Sequence, residues 1–300
     1  MASTGTPAIS SQALAGATVT PAELIAKLRA AWLPFRGAVA RIGLVPLGER
    51  TASGWTYKAL LTHAARWLER VPLELEDRLA GRATQPVDVE AVNAQATADA
   101  EKKTAHDVVG ELDRAYVAAR DALQALPADS AIPPNVVAFV GSETFEHFAE
   151  HQAELDAAVP RTAAELAARA EAAWRPFREA VRDRGRAGLG AATPTGLAYR
   201  DVVAHTIGWL QQAVKEIRSR EFTRWDGPSI DAQNARTVEA RKLVGPEALL
   251  DELDTSYRSL LATIRSLRDA DLGDPQVYSA AAFYGHLHWQ EHLGELGVHP

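Results

Sequence analysis

Residues 30–39 read AAWLPFRGAV, and residues 172–181 read AAWRPFREAV. Trp32 and Trp174 fix the spacing of the two copies at 174 − 32 = 142. Upstream, Thr20-Pro21-Ala22-Glu23 and Thr162-Ala163-Ala164-Glu165 both carry the Ser/Thr-x-x-Glu signature of a helix start. Downstream, GWTYKALLTHAARWL at 54–68 matches GLAYRDVVAHTIGWL at 196–210, which places His63 on His205 and Trp67 on Trp209. One residue is then lost. EAVNA at 90–94 aligns with DAQNA at 231–235, and ELDRAYVAARDAL aligns with ELDTSYRSLLATI, Tyr116 on Tyr257. The unit closes on FEHFAEHQAEL at 145–155 and HLHWQEHLGEL at 286–296, now spaced by 288 − 147 = 141.

The chain is therefore a tandem duplication of a unit of roughly 140 residues. Apolar residues in each pattern recur at three and four positions, the period of a helix with one buried stripe, and no useful strand-like alternation appears. Glycine and proline punctuate the loop after the first helix at Gly43, Pro46 and Gly48, and again at Gly188, Gly190 and Pro194. The expected fold is all-α, with two four-helix bundles at 21–159 and 160–300 and a disordered tail at 1–20. A pseudo-twofold is expected between the bundles, because a duplicated unit most simply reuses the interface of a dimeric ancestor. The chain would then be a monomer acting as a covalent pseudo-dimer.

Composition narrows the function. A net charge of −7 argues against a nucleic-acid or anionic-membrane partner, either of which selects for a basic surface. Cysteine is absent, so thiolate nucleophiles, disulfides and cysteine metal sites are excluded, and any thiol chemistry needs an external thiol. The first twenty residues lack the basic start and long apolar core of a signal peptide. No apolar run approaches the length of a spanning helix. A cytoplasmic protein with a small-molecule substrate is the expectation.

Six of the nine histidines fall at mirrored positions: His63, His147 and His151, then His205, His288 and His292. Imidazoles at i and i+4 share one helix face, and a third from a facing helix completes a metal site inside a bundle. The competing reading of each lone histidine is a satisfied core residue. Glu150 and Glu291 precede the second histidine of each pair and are candidate acid–base groups; solvated helix charges are the plainer reading. The H-x-x-E-H string at 147–151 also matches an inverted zinc-protease motif, which is set aside because such enzymes need a further downstream ligand.

The candidate substrate-contacting residues are Trp55, Trp67, Trp209, Tyr199, Glu90, Asn93, Asp231 and Asn234. Trp67 and Trp209 lie one turn after the second-helix histidine and can wall a pocket or simply pack the core. Trp32 and Trp174 are read as structural. Glu90 with Asn93, and Asp231 with Asn234, sit just before or at the start of the third helix, where caps are expected. Asp201, one turn before His205, can orient a ligand as a third candidate catalytic carboxylate, or serve only the helix dipole.

These motifs resemble the DinB-like four-helix bundles, a family that includes mycothiol-dependent maleylpyruvate isomerases and thiol-transferase relatives. The residues that carry the resemblance are GWTYKALLTHAARW with HFAEH, and GLAYRDVVAHTIGW with HWQEH, where Leu197 replaces the tryptophan seen at Trp55. It covers nearly all of 21–298. The resemblance implies a divalent nickel or zinc ion on each histidine triad, with open positions for water, thiolate or substrate, and an external thiol such as mycothiol. The expected function is an enzyme acting on a small reactive metabolite in natural-product biosynthesis or self-protection. The alternatives are a thiol-dependent transferase or isomerase, a resistance protein that sequesters a toxic compound, and a scaffold with relic histidines. The halves are expected to be unequal. Copy one has Ala59 and Phe145 where copy two has Asp201 and His286, which suggests groove entrances of different polarity, and copy two is favoured as the working half.

Overall fold

A computed structural model describes residues 19–194, 196–223 and 227–298. Among these residues the chain is all-helical apart from isolated backbone bridges, and no helix is long and apolar enough to cross a membrane. The described residues divide into two compact units, 19–42 with 46–159, and 43–45 with 160–298. Of the expected tail, residues 1–18 lie outside the described residues. Val19 is buried and its carbonyl accepts from the Ile132 N–H at 2.8 Å, while Thr20 exchanges hydrogen bonds with Glu23 as the first helix cap. The last two residues of that segment are thus ordered.

Unit 1 contains α1 (Pro21–Ile42), α2 (Tyr57–Leu79), α3 (Val89–Lys102), α4 (Ala105–Gln124), α5 (Pro134–Glu143) and α6 (Phe145–Ala158). Unit 2 contains α7 (Ala163–Gly188), α8 (Tyr199–Ser219), α9 (Gly227–Ala240), α10 (Pro246–Arg265), α11 (Pro275–Ala281) and α12 (Leu287–Leu293). Within unit 1, α2 packs on α3, α4 and α5, and α1 packs on α4 and α6. Within unit 2, α8 packs on α9, α10 and α11, and α7 packs on α10 and α12. The internal arrangement is the same in each.

Two details correct the expectation of four helices per unit. Glu90 and Asn93 belong to a separate helix, α3, capped by the Asp88 side chain on the Ala91 N–H at 3.0 Å, and Asp231 and Asn234 lie inside α9. The last pattern is also broken. Thr144 (φ −130°, ψ −97°) interrupts unit 1, and Gly285 (φ −102°, ψ −117°), within a π-helical segment Ala282–His286, interrupts unit 2 at the equivalent position. The break re-aims the chain just before each histidine pair, and irregular helical segments of this kind recur at functional sites.

The duplicated tryptophans are structural. Trp32 stacks on Tyr116 at 4.2 Å and 6°, and Trp174 on Tyr257 at 4.1 Å and 2°. One turn on, Arg36 grips Asp113 with two bonds (2.7 and 3.1 Å), as Arg178 grips Asp254 (2.6 and 2.9 Å). Each pair joins the first helix to the Tyr-bearing helix by stacking and by a bidentate ion pair.

Before α2 and α8 the chain makes the same tight turn. The Gly54 N–H donates to the Thr51 carbonyl and the Gly196 N–H to the Thr193 carbonyl, both at 3.0 Å. Gly54 sits at φ +92° and Gly196 at φ +89°, a region that costs an L-residue about 1–2 kcal/mol. Nothing crowds a Cβ at Gly54, so backbone strain is the whole cost. Gly54→Ala is therefore expected to lower unfolding free energy by about that amount in a urea titration; no change would show that the turn tolerates a different backbone.

Candidate metal centre

His63 lies in the second turn of α2, where residues 59–65 are buried without interruption, so burial of the whole turn delivers it to the interior of unit 1. His147 and His151 arrive from α6. The Nε2 atoms of His63 and His147 stand 2.7 Å apart, and the His151 ring lies 5.3 Å from His63 and 4.9 Å from His147. In unit 2 the Nε2 atoms of His205 and His292 stand 2.8 Å apart, and those of His292 and His288 3.1 Å. In each unit one nitrogen per histidine falls within 4.8 Å of the others, and both triads can hold a metal ion. For nitrogen–metal bonds of about 2.0–2.1 Å, the ligands of one ion stand roughly 2.8–3.4 Å apart, so unit 2 nearly has the required spacing.

Four of the six rings, His63, His147, His205 and His288, are held neutral. Burial pushes His63 and His205 down to about 4 and His147 down to about 3, with neighbouring histidines adding to the shift. Burial, with His292 and His205 beside it, also drives His288 well below the ordinary imidazole range. Neutral imidazoles keep one lone pair each, as a cation requires.

Which nitrogen carries that lone pair is set by the next shell of residues. In unit 2, His205 Nδ1–H donates to the Asp201 carbonyl at 2.8 Å, and His292 Nδ1–H donates to the Glu295 carboxylate at 2.7 Å. In neutral rings both Nε2 atoms are then lone pairs, and they meet at 2.8 Å. Two lone pairs at that distance need a positive charge between them, either a metal ion or a shared proton. His288 seals its Nδ1 from solvent without a hydrogen-bond partner and turns its Nε2 to the same place. This donor set fits a divalent cation: neutral nitrogens, with outer ring N–H groups anchored on a carbonyl and a carboxylate.

Several candidate residues stand elsewhere. Glu150 and Glu291 are exposed. Helix geometry explains it: Glu150 lies about 80° from the centre of the His147–His151 face, whereas Glu154 lies about 40° away. The carboxylates that reach the histidines are Glu154, 3.3 Å from His151 Nδ1, and Glu295. Both were visible in the sequence as a glutamate three residues after the second histidine. Asp201 acts on His205 through its main-chain carbonyl, which any residue would supply. Tyr199 is buried under the Arg184 guanidinium at 4.4 Å, and among the described contacts it has none with the triad. Glu90 and Asp231 are exposed on α3 and α9. Phe145 and His286 are both buried, so neither forms a groove entrance; burial pushes the His286 imidazole down to about 3.

The aromatic candidates do line the triads. Trp55 sets its edge against His63 at 4.8 Å and 78°, and Trp67 lies 5.9 Å from both His63 and His147. In unit 2, Trp209 lies 6.2 Å from His288 and packs on Tyr284 at 5.0 Å, and Leu197 at the Trp55 position is 46% exposed. Asn234 Oδ1 accepts the Trp209 indole N–H at 2.8 Å. No protein-family model, no curated protein and no solved structure matches the chain.

Proposed function

We propose that this protein is a metal-dependent enzyme of the DinB-like four-helix-bundle type, duplicated as a covalent pseudo-dimer. It would act on a small electrophilic metabolite of natural-product biosynthesis or self-protection, with an external thiol such as mycothiol as co-substrate. The convergence of neutral Nε2 atoms in unit 2, with Glu295 and the Asp201 carbonyl holding the outer protons, is the observation that carries this reading. His205, His288 and His292 would hold a zinc or nickel ion, and His63, His147 and His151 are the corresponding set in unit 1. A cation on three imidazoles keeps coordination positions open and lowers the pKa of a water or thiol placed there. Glu295 keeps His292 in the tautomer that presents Nε2, while Trp209 and Tyr284 supply an apolar wall that excludes water.

Glu295→Gln is expected to weaken zinc binding by about 10- to 100-fold, the usual effect of losing an outer-shell carboxylate, and Glu291→Gln to leave it unchanged. Equilibrium dialysis of both variants checks this; equal effects would mean that Glu295 supports His292 no more than Glu291 does. Function is tested by following thiol consumption with mycothiol and a panel of electrophiles, with and without zinc or nickel. Zinc-dependent turnover lost in His292→Ala supports the enzyme. Stoichiometric capture of a compound without turnover would replace it with the sequestering protein.

A further inference from the structure

The two triads share every histidine, but their tautomers are set differently. In unit 1 the indole N–H of Trp67 donates to His63 Nδ1 at 3.1 Å. An indole nitrogen is only a donor, so Nδ1 is the lone pair and the proton of neutral His63 is on Nε2. That Nε2–H points at His147 Nε2, 2.7 Å away. The chain Trp67 to His63 to His147 is a closed hydrogen-bond relay that needs no added charge, and the atom that must bind a cation is occupied by a proton. In unit 2 the equivalent Trp209 gives its N–H to Asn234, and His205 turns its Nδ1–H to the Asp201 carbonyl. The counterpart of Asn234 in unit 1 is Asn93, whose buried Oδ1 makes no short hydrogen bond but lies close enough to the His63 imidazole to favour its protonated form. The Asn93 amide acts on the same imidazole that the Trp67 indole contacts, and by the unit 2 arrangement it is the acceptor that the indole would take instead.

Resting on the metal reading above, we propose that Trp67 gates the unit 1 triad. Unit 2 takes a divalent cation first. Unit 1 takes one only when the Trp67 N–H leaves His63 for Asn93 Oδ1, which lets the imidazole proton move to Nδ1 and frees Nε2. Trp67 is a positioning residue here, acting through His63.

Titrating metal-free full-length protein with zinc chloride in a calorimeter tests the gate. Two steps are expected, the weaker by about 10-fold or more, as a misplaced outer-shell partner of a ligand histidine costs. His288→Ala should remove the tight step and leave the weak one. In that background Trp67→Phe, which keeps an aromatic ring and deletes the N–H, should tighten the remaining step about 10-fold, and Asn93→Leu should weaken it. A second readout does not depend on the variants folding. In 15N-labelled wild-type protein the Trp67 indole N–H resonance should move during the second equivalent of zinc and stay fixed during the first. Two equal steps, no effect of Trp67→Phe, or an unmoved Trp67 resonance at saturation would overturn the gate while leaving the metal reading intact. No zinc binding in either unit would overturn both.

Discussion

Acidifying metal-free protein from pH 7 towards pH 4 is expected to unfold it. His63, His147, His205 and His286 have folded pKa values of about 3 to 4 against an ordinary value of 6.5, because burial penalises their charged forms. The unfolded chain then binds more protons than the native state below pH 6.5. Stability is complete above that value and falls as the pH drops towards 4. At pH 5 each of these histidines costs about 2 kcal/mol, against a total stability of about 5–15 kcal/mol for a typical domain. Glu143 opposes the trend: burial outweighs the Arg70 guanidinium 2.9 Å away and raises its carboxyl to about 7, so protonating it favours the native state. One carboxyl offsets only part of four imidazoles. Circular dichroism against pH after chelator treatment reads the midpoint, which should lie between about 4 and 6, above the carboxylate range. A protein stable to pH 3 would show that the histidines are solvated.

Trp174→Ala is expected to cost about 3–5 kcal/mol, near the limit for a single substitution. The ring is almost fully buried, stacks on Tyr257 at 4.1 Å, meets Trp289 edge-on at 5.1 Å, and contacts Phe177 at 5.7 Å. Truncation removes these contacts and leaves a cavity between α7, α10 and α12, the helix that carries His288 and His292. Trp32→Ala should act in the same way through Tyr116 and Phe148. Urea denaturation checks both, and a loss under 1 kcal/mol would mean that the core closes over the gap.

The helical fold and the histidine triads were legible because duplication wrote each signal twice. The spacing of His63 to the i, i+4 pair survives in both copies, as do the Trp–Tyr stack and the Arg–Asp clamp. The helix break at Thr144 and Gly285 was not legible, since neither residue announces it: threonine is ordinary in a helix, and the glycine has no counterpart in the other copy. Glu154 and Glu295 lie closer to the histidine face than Glu150 and Glu291, about 40° against 80° from its centre, a difference that nearness in sequence to the second histidine conceals. The different hydrogen bonds of Trp67 and Trp209 were beyond a reading of those positions, for the residues there and at Asn93 and Asn234 are identical. Their neighbours decide. Trp209 packs on Tyr284, whereas unit 1 has Glu143 at that place, drawing in Arg70, whose guanidinium covers the Trp67 ring at 5.2 Å.

The central claim is that the unit 2 triad is built for a divalent cation, and elemental analysis of the purified full-length chain tests it most directly. After reconstitution and dialysis the protein should retain at least one equivalent of zinc or nickel, and His288→Ala and His292→Ala should each lose it while remaining helical. Retention of less than a tenth of an equivalent by wild-type protein, or retention by either variant equal to that of wild type, would contradict the claim and leave the lone pairs of His205 and His292 bridged by a proton.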